Sequence, residues 1–347
     1  MDILPLKSLI ESGTKLWVDS VDHEHVLLNK GFGATGATSN PIIISTILRS
    51  GKYDEEIRKL KLEHEKSSEE IAWTITDRLV TDAEECFLDI FKETNGDDGY
   101  VSFELDPFLE DSKTHLTTNE RAEKYVELGK KWSNGHPNRL IKVPATSAGL
   151  SALGRLAEAG VNVNVTLIFT PSQYVKARNA IWEGLQKRKD LFSNYKSVYS
   201  IFVSRIDLYT SKYLPSLKPS SQGLVGIVNA KRIWRLNQNF WVDKKMPLKQ
   251  EIVFASTGVK MPDDPPWKYV EAFAGSDIET NPPETNEATQ KSGRIFKRNI
   301  DVLPSIKFLD DIDKNVHWNY MEKALMEEGI EKFITPQRIL LKMIDEI

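Results

Sequence analysis

Polar and apolar residues alternate strictly in Asn162-Val163-Asn164-Val165-Thr166-Leu167, and Ile168-Phe169 follow directly. A period of two predicts a β-strand with one polar and one apolar face. Helical patterns over Ser147–Ala159 and Pro171–Lys187 flank this strand, so we expect both of its faces to be covered. We assign the polar face to Asn162, Asn164 and Thr166, and the apolar face to Val163, Val165, Leu167 and Phe169.

Two further strands carry polar residues on one face in the same way. Ser102, Glu104 and Asp106 share one face of Tyr100–Asp106, and Lys142 stands between apolar residues in Leu140–Pro144. A closed barrel explains this pattern, because its apolar face packs on outer helices while its polar face points into the lumen. The alternative is a half-exposed sheet with a wet polar face, which three such strands among helices make less attractive.

Eight short strands alternate with helical patterns along the chain. They are predicted at Leu16–Asp19, Ala34–Ser39, Tyr100–Leu105, Leu140–Pro144, Asn162–Phe169, Val198–Ser204, Glu251–Ser256 and Asp277–Thr280. This count favours a single α/β domain over residues 1–347, a (β/α)8 barrel with additional C-terminal helices. An open doubly wound sheet is the alternative, since periodicity does not show closure.

Local signals predict where several helices begin and end. Capping-box spacing at Ser67 with Glu70 and at Thr117 with Glu120 predicts two helix starts, and Thr170-Pro171-Ser172-Gln173 predicts a third. The stretch Asp313–Ile347 is predicted to form two helices with Gly329 between them.

Composition excludes several classes of protein. The chain has 347 residues, 40% of them hydrophobic and 28% charged, with a net charge of -4. These values exclude a disordered or disulfide-stapled protein, and they argue against nucleic acid or an anionic membrane as the main partner. No apolar run approaches the roughly 20 residues of a membrane-spanning helix, and Met1–Pro5 lacks the start of a secretory signal. With a single cysteine, Cys86, we expect a cytoplasmic protein.

Two motifs that could indicate a cofactor or a metal are weak. Gly31-Phe32-Gly33-Ala34-Thr35-Gly36 matches G-x-G-x-x-G, but a helical pattern precedes it and a strand follows it. A dinucleotide site needs the opposite order, so we interpret the glycines as a turn into the second strand and disfavour a nicotinamide-dependent oxidoreductase. The histidines have no partners at ligand spacing, so we expect no metal site.

Lys142 is the strongest candidate for chemistry. It stands alone in an apolar strand, just before Pro144-Ala145-Thr146, where barrel strands deliver catalytic groups. Loss of water disfavours the charged form of a lysine, and a neutral amine can attack a carbonyl. A buried structural ion pair is an equally weighted alternative.

Six motifs in order resemble the transaldolase family. They are Leu16-Trp17-Val18-Asp19, Ala37-Thr38-Ser39-Asn40-Pro41, Val101-Ser102-Phe103-Glu104-Leu105-Asp106-Pro107, Ile141-Lys142-Val143-Pro144-Ala145-Thr146, Asn162 to Phe169, and Ser200-Ile201-Phe202-Val203-Ser204-Arg205. The stretch Ala255-Ser256-Thr257-Gly258-Val259-Lys260 looks like the longer bacterial branch of the family. The resemblance runs from about residue 14 to the C-terminal helices. It implies a (β/α)8 barrel of the class I aldolase type that needs neither metal nor organic cofactor.

The resemblance also implies roles for catalytic residues. Lys142 would form a Schiff base with the ketone of a ketose phosphate. Asp19 would take the proton from the hydroxyl next to the breaking bond. Glu104 and Thr166, with a positioned water, would move protons while the imine forms and breaks down.

The same resemblance implies substrate-binding residues. Asn40 and Asn164 would hold the dihydroxyacetone hydroxyls. Ser200 and Arg205 would hold the phosphate, for which the planar guanidinium is well suited, and Phe202 would shape the wall nearby.

Two stretches depart from the family pattern. Many members have a second arginine shortly after the seventh strand, where this chain has Ser256 and Lys260; we infer that these two take over part of the phosphate site. After the first strand, Asp22 is a rival for the role given to Asp19.

The resemblance thus implies a transaldolase of the nonoxidative pentose phosphate pathway. It would move a dihydroxyacetone unit from sedoheptulose 7-phosphate or fructose 6-phosphate to glyceraldehyde 3-phosphate or erythrose 4-phosphate. The alternatives are an aldolase that releases dihydroxyacetone and a non-catalytic sugar-phosphate binding barrel. The sequence leaves monomer and homodimer equally open.

Overall fold

A computed structural model describes residues 4–64, 66–188 and 194–347. Within these ranges, parallel strands pair in sequence order and close into a barrel, with β1 hydrogen-bonded to both β2 and β8. The strands are β1 Lys15–Val18, β2 Gly36–Thr38, β3 Val101–Glu104, β4 Arg139–Pro144, β5 Val163–Ile168, β6 Ser197–Phe202, β7 Glu251–Ala255 and β8 Ile278–Asn281. All eight predicted strands are present, and the closed order confirms the barrel over the open sheet.

Helices surround the barrel and continue beyond it. They are α1 Pro5–Glu11, α2 His23–Gly31, α3 Pro41–Arg49, α4 Asp54–His64, α5 Ser68–Glu93, α6 Thr118–Ser133, α7 Ser147–Glu158, α8 Pro171–Leu185, α9 Ser204–Tyr213, α10 Val225–Trp241, α11 Lys268–Phe273, α12 Pro283–Gln290, α13 Ile306–Asn315 and α14 Trp318–Glu346. Short 3-10 turns lie at Pro107–Glu110 and Val242–Lys244. No helix in the described ranges is long and apolar enough to cross a membrane.

The three predicted helix starts are confirmed. Ser67, Thr117 and Thr170 cap α5, α6 and α8, and each forms a reciprocal capping box with the side chain three residues later. These contacts satisfy backbone N–H groups that have no partner inside the helix. The glycine run is also a turn, as predicted: α2 ends at Gly31, Gly33 has a φ of +100°, and β2 begins at Gly36.

The lower lumen of the barrel is apolar, and one glycine makes room for its largest side chain. Trp17 fills the interior together with Tyr100, Leu140, Val198, Val253 and Ile278, all of them buried. A Cβ on Gly36 would lie 2.6 Å from the Trp17 ring and 2.6 Å from the carbonyl oxygen of Tyr100. Only glycine therefore fits beside this indole.

A charged cluster closes the amino-terminal end of the barrel. The Glu251 carboxylate lies 2.8 Å from Nζ of Lys15 and 2.5 Å from Nζ of Lys196. Asp97 contacts the same two ammonium groups at 3.0 and 3.2 Å. Lys196 is fully buried, so this end of the barrel depends on complete charge compensation.

The predicted faces of β5 are correct for its first half and wrong for its second. Val163 and Val165 pack outward against the helices, but Leu167 and Phe169 belong to the inner apolar cluster, and Ile168 faces outward instead. The cause is a bulge: Leu167 has a φ of +56°, and the pairing with β6 shifts register between Val165 and Ile168. An extra residue in a strand reverses every face after it.

The predicted break at Gly329 is also wrong. The helix α14 runs through this position, and the preceding helix, α13, ends well before it. A Cβ on Gly329 would approach Cδ2 of Leu167 to 3.0 Å, so glycine lets α14 pack closely across the mouth of the barrel. Tertiary packing outweighs the cost of about 1 kcal/mol for glycine inside a helix.

Candidate active site

A cleft of about 680 Å³ opens at the carboxyl ends of the strands, where barrel enzymes place their active sites. Eight of the eleven site residues predicted from sequence line it: Asp19, Asn40, Lys142, Ser200, Phe202, Arg205, Ser256 and Lys260. The other three, Glu104, Asn164 and Thr166, are buried on the neighbouring barrel strands β3 and β5. The structure therefore brings the predicted residues to one end of the lumen.

Lys142 and Glu104 form a buried ion pair. The two residues are register partners on β4 and β3, so both side chains enter the lumen at the same level. Nζ of Lys142 lies 2.9 Å from Oε2 of Glu104 and donates a hydrogen bond of 2.9 Å to the carbonyl oxygen of Ser39. Both side chains are only 5% exposed. Burial raises the pKa of Glu104 despite the opposing charge of Lys142, so this carboxyl holds a proton more readily than an exposed one.

Asp19 lies at the end of β1 on the wall of the same cleft. The hydroxyl of Thr38 donates a hydrogen bond of 2.6 Å to Oδ1 of Asp19, and Thr280 supports Thr38 at 2.8 Å. Loss of water raises the pKa of Asp19, while Lys142 and the Thr38 hydroxyl oppose the rise. A carboxylate that is held in place and is more basic than usual can accept a proton from a bound hydroxyl.

Asp22 has a different role in the structure. Its Oδ1 accepts hydrogen bonds from the backbone N–H groups of Glu24 and His25, at 3.1 and 3.3 Å, and so caps α2. Its Oδ2 lies 3.8 Å from Nζ of Lys52 at the rim of the cleft. Both carboxylate oxygens of Asp22 therefore have partners other than Lys142. This arrangement agrees better with Asp19 than with Asp22 as the group near the reacting lysine.

A hydrogen-bonded row crosses the lumen below the ion pair. Asn164 donates from Nδ2 to the Ser102 hydroxyl at 2.9 Å, and the Ser200 hydroxyl donates to Oδ1 of Asn164 at 2.7 Å. This row holds the Asn164 amide in place from both sides. Thr166 is register partner of Pro144, and its buried hydroxyl has no hydrogen-bond partner in the described part of the chain.

Asn40 contributes to the helix that follows it as well as to the cleft wall. Its Oδ1 accepts from the N–H groups of Ile42 and Ile43 at 3.0 and 3.1 Å and caps α3. Asparagine followed by proline is the usual signature of such a helix start, although it was not among the predicted caps. The cap fixes the side chain so that it lines the cleft.

Cationic groups gather at one end of the cleft. Arg205 lies in the first turn of α9, with its guanidinium carbon 5.1 Å from the centre of the Phe202 ring. Its Nη1 is buried and has no hydrogen-bond partner among residues 4–64, 66–188 and 194–347. The Ser256 hydroxyl shares a hydrogen bond of 2.9 Å with Ser204, and burial together with Arg205 lowers the pKa of Lys260. An unpaired cation beside hydroxyl groups is suited to an anionic ligand.

Several cleft residues were not among the predicted ones, and the most unexpected come from α14. Phe333 places its ring centre 5.8 Å from Nζ of Lys142, and Lys332 lines the same cleft. Glu284, at the start of α12, lines it as well. The sequence around these three residues has no motif that indicates a site. Lys332 and Phe333 reach the cleft only because α14 packs across the mouth of the barrel.

Histidines and acidic groups do not gather into a metal site in the described chain. No group of three or more His, Cys, Asp or Glu side chains there could hold a metal ion. His25 contacts the Ser20 hydroxyl at 3.2 Å, and His136 contacts Glu84 at 2.7 Å. These two rings therefore have ordinary polar partners.

Comparisons with known proteins agree with the resemblance found in the sequence. The family model described as Transaldolase/Fructose-6-phosphate aldolase matches residues 16–344. "Transaldolase 2" of Streptomyces avermitilis is 31% identical, over 97% of this chain and 95% of the relative. "Transaldolase" of Kocuria rhizophila is 30% identical over 98% and 97%, and "Transaldolase" of Trichodesmium erythraeum is 29% identical over 96% and 95%. The chain belongs to the transaldolase/fructose-6-phosphate aldolase family.

Proposed function

We propose that this protein is a transaldolase that moves a dihydroxyacetone unit between sugar phosphates through a Schiff base on Lys142. The donor would be sedoheptulose 7-phosphate or fructose 6-phosphate, and the acceptor glyceraldehyde 3-phosphate or erythrose 4-phosphate, as in the nonoxidative pentose phosphate pathway. One observation carries the proposal: a buried lysine amine lies 2.9 Å from a carboxyl group inside a cleft lined by Arg205, whose Nη1 has no hydrogen-bond partner in the described part of the chain. The free Cys86 suits a reducing cytoplasm, where we place the enzyme.

The first step is formation of the imine. Transfer of a proton from Lys142 to Glu104 within the ion pair leaves a neutral amine, which attacks the C2 carbonyl carbon of the ketose. A proton then passes from the attacking nitrogen to the former carbonyl oxygen, which becomes a hydroxyl. Glu104, whose pKa is raised by burial, gives a proton to that hydroxyl, which leaves as water. The protonated imine remains on Lys142. Thr166, with its unpartnered hydroxyl, would hold the water that Glu104 protonates or deprotonates.

The second step breaks the bond between C3 and C4. Asp19 accepts the proton of the C4 hydroxyl, the C4–O bond becomes a carbonyl, and the bonding electron pair moves through C3 into the imine nitrogen. The aldose phosphate leaves, and a neutral enamine stays on Lys142. Thr38 holds the Asp19 carboxylate at 2.6 Å, which supports its orientation for this transfer.

The enamine must be retained until the acceptor arrives. Asn40 and Asn164 would hold its hydroxyl groups, and the hydrogen bonds from Ser200 and to Ser102 support a fixed orientation of Asn164. C3 of the enamine then attacks the acceptor carbonyl carbon, and Asp19 returns its proton to the new alkoxide. Addition of water to the imine releases the new ketose and restores the free amine.

The phosphate would lie at the cationic end of the cleft. Arg205 would supply Nη1, and Ser256, Lys260 and Ser200, which line the same cleft, would supply further contacts. Phe202 would shape the wall beneath the guanidinium. Burial lowers the pKa of Arg205, and burial together with Arg205 lowers the pKa of Lys260, so an anion bound here would stabilise both charges.

A related aldolase that releases free dihydroxyacetone is the second candidate, because the matching family includes fructose-6-phosphate aldolase. Fructose 6-phosphate supplied with and without erythrose 4-phosphate separates the two activities. We expect sustained turnover only with the acceptor present, and little free dihydroxyacetone without it. Rapid acceptor-independent release would favour the aldolase. Absence of any turnover, with sugar-phosphate binding unchanged in Lys142→Ala, would favour a non-catalytic binding barrel.

A further inference from the structure

Two charged residues on α14 have no part in the mechanism above. Glu328 and Lys332 lie one helical turn apart and form an ion pair. Lys332 lines the cleft together with Arg205 and Lys260. Both Lys332 and Arg205 lower the pKa of Lys260, and both also lower the pKa of Glu328. Arg205, Lys260 and Lys332 therefore lie near one another in the cleft, and Glu328 interacts with two of them, Lys332 and Arg205.

The backbone of α14 is held close to Arg205 at this point. A Cβ on Gly329 would lie 3.5 Å from Nη1 of Arg205 and 3.0 Å from the Leu167 side chain. One turn further on, the Phe333 ring lies 5.8 Å from Nζ of Lys142. The turn of α14 that carries Glu328 and Lys332 thus spans the distance from the unpaired guanidinium to the reactive amine.

Two distant contacts hold α14 in this position. Glu322, before this turn, accepts a hydrogen bond from the Thr170 hydroxyl at the start of α8. Arg338, after it, forms an ion pair with Asp111. Because both ends of the segment are attached to the barrel, Lys332 has a fixed place at the cleft and is not on a freely moving terminal helix.

We propose that Lys332 is a third phosphate-holding cation of the substrate site, and that Glu328 is the counter-ion from which a substrate phosphate takes it over. This inference rests on the proposed function, because it assigns a further residue to the phosphate end of that site. Among these three cations only Lys332 forms an ion pair within the described residues, with Glu328, whereas Nη1 of Arg205 has no hydrogen-bond partner there. An added dianion can therefore be bound by Arg205 and Lys260, and can draw Lys332 away from Glu328. Lys332 on α14 would thus replace part of the function of the second arginine that the family pattern has and this chain lacks.

The alternative is a simple surface pair. Glu328 and Lys332 have the spacing of a helical i,i+4 pair, with side chains 48% and 43% exposed. Such a pair would stabilise the helix slightly and would have no effect on ligand binding. The two readings differ in their effect on phosphate affinity, which a surface pair would not change.

The test is calorimetric titration of the full chain with inorganic phosphate, with fructose 6-phosphate as competitor. Lys332→Met should weaken phosphate binding about tenfold, the size of one lost charge-assisted hydrogen bond. Lys332→Arg should stay within about threefold of wild type, and Glu328→Gln should tighten binding about threefold because it removes the competing carboxylate. Lys342→Met is the matched control, because Lys342 pairs with Glu346 on the same helix outside the cleft.

Kinetics provide a second readout that a structural role would not produce. Lys332→Met should raise KM for fructose 6-phosphate about tenfold and leave kcat within about twofold, since binding and not bond cleavage is affected. Wild-type phosphate affinity in Lys332→Met, together with loss of binding in Arg205→Met, would overturn the inference and leave the proposed function standing. A wild-type protein that binds no competable phosphate would overturn the proposed function as well.

Discussion

Asp19 and Asp22 offer a matched pair of substitutions, Asp19→Asn and Asp22→Asn. Each replaces a carboxylate with an amide of the same shape and removes one negative charge. Asp19 lies in the cleft beside Thr38 and is assigned the proton of the C4 hydroxyl, whereas Asp22 caps α2 and contacts Lys52. We expect Asp19→Asn to lose activity and Asp22→Asn to keep it.

The magnitudes follow from these contacts. An amide cannot accept the hydroxyl proton, and a positioned general base contributes about 10²–10⁴ in rate, or about 2.7–5.5 kcal/mol of barrier. At position 22, asparagine caps a helix about as well as aspartate, so the hydrogen bonds to Glu24 and His25 are retained. The Lys52 contact is long and exposed to solvent, so losing it should have little effect. We therefore expect Asp22→Asn to stay within about twofold in kcat.

Two assays separate the steps. A coupled assay with fructose 6-phosphate and erythrose 4-phosphate measures turnover, and borohydride reduction measures imine formation. Because imine formation precedes bond cleavage, Asp19→Asn should still give the reduced adduct on Lys142 while its turnover falls. The reasoning would be refuted if Asp22→Asn lost turnover and Asp19→Asn kept it. An Asp19→Asn protein that no longer forms the adduct would also contradict it, since Asp19 would then act in the first step.

Glu251→Gln leaves Lys15 and Lys196 without their shared carboxylate at the amino-terminal end of the barrel. We expect urea unfolding to show a loss of about 3–5 kcal/mol of stability. The folded variant should still form the borohydride-reduced adduct on Lys142. Burial raises the pKa of Asp207 from 3.8 to about 6, so between these pH values the folded chain holds a proton there that the unfolded chain has lost. The stability gained from this proton disappears as the pH rises through about 6. Asp207→Asn removes that dependence, so its stability relative to wild type should rise by about 1–2 kcal/mol between pH 5 and pH 8, which urea midpoints at the two pH values would show. No rise would contradict the assignment.

Features with local causes are predictable from this sequence. The cap at Ser67 is predictable from the glutamate three residues later, and β4 from the apolar residues on either side of Lys142. In both cases the residues that decide the structure are close together in the chain. The alternating polar side of β3 and β5 could be read for the same reason, and it places Glu104 and Asn164 in the lumen.

Features with distant causes are not predictable in this way. The bulge at Leu167 reverses the faces of the second half of β5. Its left-handed backbone is not predictable locally, because the residue at this position is leucine and not glycine. Gly329 has the local signature of a helix end, but it serves close packing against Leu167 and Arg205. Lys332 and Phe333 reach the cleft only because α14 crosses the barrel mouth, so their place depends on contacts between elements far apart in the chain.

Reduction with borohydride in the presence of fructose 6-phosphate, followed by peptide mass spectrometry, tests the Schiff base on Lys142 most directly. The cleft offers an internal comparison, because Lys52, Lys260 and Lys332 line it too. We expect the mass of a reduced sugar adduct on the peptide containing Lys142 and on none of the other three lysines. No adduct, or an adduct on Lys52, Lys260 or Lys332 that persists in Lys142→Met, would contradict the account.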